Sequence, residues 1–211
     1  MPFDNMHADD RAVFVRAQPR RGLLGQNPRP RWPYLDLRRS AQPGYTGAVA
    51  RDGHYIAVVG AGACEPEVAR VAEEVGRLVA RAGAVLVCGG LGGVMEAACR
   101  GARAEGGTTV GVLPSESRRD ANRHVEVAVA TGMGEARNAI VARTADAISA
   151  VGGEFGTLSE IALALKMGKP VVGIDTWELS RQGRRTEAIA RAARPEEAVA
   201  LALRLAARPG A

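Results

Sequence analysis

Val151-Gly152-Gly153-Glu154-Phe155-Gly156-Thr157-Leu158-Ser159-Glu160 stands between an apolar run, Ala145–Val151, and a helical pattern, Leu158–Met167. A short apolar run, a glycine turn and a helix, in that order, make one βα unit of a parallel sheet. Gly152, Gly153 and Gly156 lack the Cβ that would bar positive φ or the close approach of a ligand, so successive backbone N–H groups can face an anion. A helix beginning near Thr157 adds its positive end. Glu160 then falls about one turn inside, within reach of a sugar or ring attached to a bound phosphate. The same residues also spell a plain capping box, with Thr157 as N-cap and Glu160 completing it.

The alternation of apolar runs and helical periods extends outward from this segment to Tyr55. Tyr55–Val59 reads as a first strand, and Val68, Val71, Ala72, Val75, Leu78 and Val79 fall on one helix face closed by Gly83. Ala84–Cys88, Thr108–Leu113, Val125–Ala130, Ala145–Val151 and Pro170–Ile174 are the further strands, the last of these closing the sheet. Val94–Glu105, Glu135–Thr144 and Leu158–Met167 are helices, and Pro195 with Glu196 and Glu197 opens a final one. The pattern predicts an α/β fold, a Rossmann-like three-layer sandwich with a mainly parallel central sheet flanked by helices. This nucleotide- or phosphate-binding domain is expected over residues 54–211. Residues 1–53 are rich in arginine and proline, and Asn27-Pro28-Arg29-Pro30-Arg31-Trp32-Pro33 cannot be helical. They read as an extension: a flexible leader, an arm laid over the body through Trp32 and Tyr34, or residues upstream of the true start codon.

At 211 residues and 46% hydrophobic, the chain suits one domain with a substantial core plus an appendage. Its apolar runs fall short of a membrane span and its start lacks the order of a secretory signal, so the expected location is cytoplasmic. The net charge of +5 comes from arginine scattered through both tails, with only Lys166 and Lys169 as lysines. That distribution argues against a nucleic-acid surface and for anionic small ligands at most. Cys64, Cys88 and Cys99 are odd in number and widely spaced, which suggests neither a disulfide framework nor a metal site. No metal ligand set is expected.

Two further glycine turns point to the same edge of the sheet. Gly60-Ala61-Gly62 follows the first strand, but the third glycine of a dinucleotide fingerprint is missing. The second strand ends in Cys88-Gly89-Gly90 instead of the acidic residue that would hold an NAD ribose, so a nicotinamide dehydrogenase is disfavoured. Gly89-Gly90-Leu91-Gly92-Gly93-Val94-Met95 is a second strand-to-helix turn, and its glycines outnumber what helix–strand packing would ask for. No Gly-Lys-Ser/Thr follows, so it is not a Walker A loop. Two such loops on one edge imply one shared crevice. The third element, Thr131-Gly132-Met133-Gly134-Glu135-Ala136-Arg137-Asn138, leads into a helix. Its Arg137 can clamp a phosphate or ribose bidentately, or form a salt bridge in solvent. Asp146 and Asp175 suit capping or surface positions, His54 and His124 are isolated, and no Ser/His/Asp or Cys/His set supports covalent hydrolysis.

Taken in order, these elements resemble the LOG-like Rossmann proteins, the so-called lysine decarboxylase-like family. Its hallmark is Pro-Gly-Gly-x-Gly-Thr-x-x-Glu preceded by Met-His-x-Arg-Lys. The resemblance runs from about Tyr55 to Ala207 and is nearest the branch containing molybdenum cofactor carrier proteins. In the phosphoribohydrolase members the resemblance implies catalytic roles at Arg137 and Glu160. The carboxylate would stabilise positive charge on the sugar while arginine and turn amides hold the phosphate. Gly60, Gly62, Gly89, Gly90, Gly92, Gly93, Met95, Arg137, Asn138, Gly152, Gly153, Gly156 and Thr157 are the expected ligand contacts. Val151 is read in place of the motif proline, Gly134 in place of histidine and Asn138 in place of lysine. The reading is therefore a binding protein for a phosphorylated nucleotide-like or pterin ligand, with molybdenum cofactor as a carried ligand. A hydrolase cleaving the N-glycosidic bond of nucleoside 5′-monophosphates, which needs no cofactor, is the alternative; a nucleotide sensor is the third. The resemblance also implies a homo-oligomer, a dimer or tetramer.

Overall fold

The computed structural model describes residues 53–207. The expected extension lies outside the described residues except for Gly53. In chain order the elements are β1 (Tyr55–Gly60), α1 (Pro66–Arg81), β2 (Val85–Cys88), α2 (Val94–Ala104), β3 (Thr109–Leu113) and β4 (Val127–Ala130). There follow α3 (Asn138–Thr144), β5 (Ala147–Val151), α4 (Phe155–Lys166), β6 (Val171–Ile174), β7 (Ser180–Arg181), β8 (Arg184–Arg185), β9 (Ile189–Arg191) and α5 (Pro195–Ala206).

The main sheet has seven strands in the order β4-β3-β2-β1-β5-β6-β9, and every pairing in it is parallel. Strands covered on both faces need apolar residues at every position, and this explains the unbroken runs. In β1, Ile56 and Val58 join the core under α1, α2 and α5, while Ala57 and Val59 join the opposite core with Val141 of α3 and Ile161 of α4. Fully buried Ile56, Leu86 and Ile148 each contribute roughly 1.5–3 kcal/mol of hydrophobic stabilisation. The expected α/β three-layer sandwich is therefore the observed fold. None of the described helices is long and apolar enough to cross a membrane.

The structure differs from the expectation in three places. Pro170–Ile174 does not close the sheet: the short antiparallel hairpin β7–β8 and the edge strand β9 follow it. The expected helix Glu135–Thr144 is split into a 3-10 turn, Gly134–Arg137, and α3. Helix α4 begins at Phe155, ahead of Thr157, and its N-cap is Glu154, which makes no side-chain capping bond. The capping box of Thr157 and Glu160 is thereby excluded.

Helices α1 and α2 cross where both carry glycine. A Cβ at Gly76 would overlap the carbonyl oxygen of Ala98, and one at Gly101 the carbonyl oxygen of Glu73. Because the obstacle is backbone, no rotamer change relieves it. Gly76→Ala and Gly101→Ala are each expected to lose about 2 kcal/mol or more in chemical denaturation. Gly62→Ala, which meets nothing within 4 Å, should shift stability by no more than about 0.5 kcal/mol.

Candidate functional site

The chain builds outward from β1 to β4 and then returns to lay β5 on the other side of β1. Strand order reverses there, so the loops at the carboxyl ends of β1 and β5 diverge and leave a crevice. Three loops bring their residues together at this place. Arg137 arrives from the 3-10 turn after β4, Glu160 from α4, and Gly89 from the end of β2.

Arg137 Nη1 donates to Glu160 Oε1 at 3.2 Å, with the two residues only 5% and 6% exposed. The pair is buried, which overturns the reading of Arg137 as a salt bridge in solvent. Gly89 makes room for it: a Cβ there would lie 2.5 Å from both terminal guanidinium nitrogens. Guanidinium carries five N–H donors, yet Nε of Arg137 is buried without a partner among the described residues, as are Oγ1 of Thr157 and Oδ1 of Asn138. Buried polar groups left unsatisfied are costly; of these, the Arg137 Nε–H is a donor, the Asn138 Oδ1 an acceptor, and the Thr157 hydroxyl can act as either. Thr157 lies against the turn, for a Cβ on Gly153 would meet its side chain at 2.5 Å. Gly152 and Gly153 both have positive φ, 55° and 115°, which turns the chain sharply into α4. The leading N–H groups of α4, from Phe155 on, have no acceptor within the helix.

Burial pushes the Glu160 carboxyl up to about 7; Arg137 pulls it back and Glu135 adds to the rise. At neutral pH this group is poised between its two forms.

Some expected contacts have another explanation. A Cβ on Gly60 would strike the Val94 side chain at 2.5 Å and the Val151 carbonyl oxygen at 2.6 Å. One on Gly93 would overlap the carbonyl of Ala61, one on Gly92 would lie 3.0 Å from the Gly62 carbonyl oxygen, and one on Gly90 would lie 2.8 Å from the Leu113 side chain. Packing against the β1 loop at Gly93 and against β3 at Gly90 thus accounts for these two glycines without an anion. Met95 belongs to the core beneath α2, and Gly62 is exposed. Asp146 accepts the Tyr55 N–H at 2.8 Å, at the amino edge of the sheet and away from the crevice. Cys88 and Cys99 are buried free thiols and Cys64 is half-buried.

Counting back from Glu160 also corrects the motif register. Gly152, and not Val151, takes the place of the motif proline, while Glu154 takes the place of its second glycine. Counting back from Arg137, the histidine position falls on Glu135 and not on Gly134. Glu135 Oε2 accepts from Asn138 Nδ2 at 3.4 Å.

Sequence reasoning passed over residues that lace the site together. Asn122 holds the β2 turn through its side-chain amide, donating to the Leu91 carbonyl at 2.8 Å and the Gly90 carbonyl at 3.2 Å. Thr176 donates its hydroxyl to the Gly152 carbonyl, and Trp177 Nε1 donates to the Glu154 carbonyl at 3.2 Å. Thr176 and Trp177 follow directly on Asp175 at the carboxyl end of β6, and that position beside the switch point was the available signal.

An all-parallel sheet flanked by helices, with glycine turns at its carboxyl edge, defines a Rossmann-type α/β domain. The chain belongs to the SLOG cluster4 family, whose model matches residues 53–199. An uncharacterised protein of Archaeoglobus fulgidus is 49% identical over 119 residues, which are 56% of this chain and 78% of that protein. The molybdenum cofactor binding protein from the phototrophic bacterium Rippkaea orientalis is 36% identical, with a TM-score of 0.67 over 74% of this chain and 98% of that one. The molybdenum cofactor carrier protein of Chlamydomonas reinhardtii is 33% identical, with a TM-score of 0.63 over 74% and 99%.

The raised Glu160 carboxyl gives stability a defined pH dependence. From about 4.5, its ordinary value, to about 7, the folded protein keeps a proton that the unfolded chain releases. Stability from this group therefore falls as pH rises through that window, by at most about 3 kcal/mol. Denaturation midpoints of Glu160→Gln measured from pH 4.5 to 8 should lack this slope, whatever their overall offset from the wild type.

Proposed function

We propose that the protein binds a phosphorylated, ring-bearing small molecule at the carboxyl ends of β1 and β5, in the manner of a molybdenum cofactor carrier. The observation that carries this reading is the buried Arg137, which among the described residues makes one side-chain hydrogen bond, to Glu160, while its Nε and the hydroxyl of Thr157, one turn before Glu160 in α4, find no partner there. An anion entering the turn after β5 would accept from these groups and from the leading N–H groups of α4. Molybdenum cofactor, a phosphorylated pterin, would then be cargo, its phosphate in the turn. The naming of two structural relatives as molybdenum cofactor proteins supports a carried ligand of this class. The expected homo-oligomer stays with this reading and is checked by sedimentation.

The phosphoribohydrolase reading rests on Glu160 being in place. Its chemistry needs an ionised carboxylate to stabilise the sugar cation. In this site burial works against that form, and a ligand phosphate that occupies Arg137 removes the charge that favours it. Binding without turnover is the better account.

Purified protein incubated with AMP, GMP and molybdenum cofactor should bind them saturably without releasing free base. Base and ribose 5-phosphate that appear in the wild type and vanish in Glu160→Gln would overturn the carrier reading and make the protein a hydrolase. Gly89→Ala, which thrusts a methyl group against the Arg137 guanidinium, should weaken nucleotide or cofactor binding about tenfold or more in calorimetry.

A further inference from the structure

Beside the phosphate turn stand two aromatic side chains that neither the glycine motif nor the arginine accounts for. Phe155, the first residue of α4, is 79% exposed. Its ring centroid is 5.5 Å from that of Trp177, with the planes inclined at 44°. They come from the connections that follow β5 and β6, strands that are neighbours in the sheet.

The two connections are tied into one unit. Gly152 donates its N–H to the Ile174 carbonyl at 3.0 Å, Thr176 its hydroxyl to the Gly152 carbonyl, and Trp177 its indole N–H to the Glu154 carbonyl at 3.2 Å. The carbonyls of the turn are thus engaged on the β6 side. Trp177 is fixed relative to the place where an anion would sit, and its indole is also packed against the core shared by α3 and α4. Behind it opens a cavity of about 520 Å³ lined by Asp175, Thr176, Trp177, Ile189, Arg191 and Glu197. That volume lies within the range of small-molecule sites, and its carboxylates can accept from ring N–H and amino groups.

We propose that Phe155 and Trp177 form a ring subsite, an aromatic wall for the planar, nitrogen-containing fused ring of the ligand whose phosphate occupies the turn after β5. The inference rests on the phosphate reading above and adds to it the part of the ligand that decides selectivity. Stacking of a heteroaromatic ring on an aromatic side chain is worth about tenfold in affinity or more. A ligand with a ring is therefore preferred over the same phosphate without one.

The test uses the full chain and three probes: GMP, AMP and ribose 5-phosphate, each titrated by calorimetry. The nucleotides should bind at least about tenfold more tightly than ribose 5-phosphate. Phe155→Ala should remove about tenfold of nucleotide affinity and leave ribose 5-phosphate unchanged, while Phe155→Tyr restores the wild-type preference. In a Trp32→Phe background, which leaves Trp177 as the one tryptophan, nucleotides should quench the fluorescence and ribose 5-phosphate should not. Equal affinity for ring-bearing and ring-free phosphates would overturn the subsite while leaving the phosphate turn standing. A Phe155→Ala variant with unchanged nucleotide affinity but an altered sedimentation coefficient would overturn it too, and assign the ring to a contact between copies of the chain. Failure of all three probes to bind would sink the phosphate reading and the subsite with it.

Discussion

Arg137 carries a charge that cannot be neutralised by losing its proton into a place closed to water. Such a group must be met by neighbours or the fold suffers for it. Its neighbour is a single carboxyl, Glu160, which the same burial drives toward its neutral form. The two do not make a closed, self-sufficient ion pair. A cation with donors to spare beside a carboxyl inclined to give up its charge is the pairing on which the proposed anion site rests. Much of the carboxyl edge serves this arrangement: the missing Cβ of Gly89 leaves space for the guanidinium, Asn122 braces the turn that Gly89 begins, and α4 supplies the buried Glu160.

Much of the fold was legible because its central strands are buried on both faces. Val85–Cys88 and Ala147–Val151 have no polar face to interrupt them, apart from the buried Ser149. The edge was not legible: Ile189-Ala190-Arg191 is a three-residue strand in an arginine- and alanine-rich stretch with no apolar run to announce it. The start of α4 was misplaced because Phe155-Gly156 looked like loop, whereas glycine in a first turn costs a helix little that packing does not replace. With the start moved to Phe155, Thr157 is no longer a cap, and its hydroxyl, against Gly153 of the turn, has no partner among the described residues.

At the site, Arg137 and Glu160 stood out by their spacing from the glycines, but their contact and their burial depend on the return of β5 to β1 and could not be read locally. The glycines carried less information than they seemed to hold. Gly152 and Gly153 shape the turn through positive φ, whereas Gly60 and Gly93 are there because the first two loops press on each other. A string of glycines at a strand end records close approach of something, and only the fold distinguishes a ligand from the next loop.

The return of β5 to β1 also bears on how the protein comes to be folded. Strand β1 pairs with β2 nearby, but the N–H of Tyr55 finds its acceptor in Asp146, 91 residues along the chain. Contacts of such separation form late, since the entropy of closing the loop is lost before the pairing returns any stability. Arg137, which precedes β5, and Glu160, which follows it, meet beyond that closure. A chain emerging from the ribosome would carry both glycine turns after β1 and β2 and yet lack the Arg137–Glu160 pair until most of the sheet had been made and docked. Capture of the proposed ligand would thus be a late event in biogenesis, reserved for chains whose central β1–β5 junction has already closed.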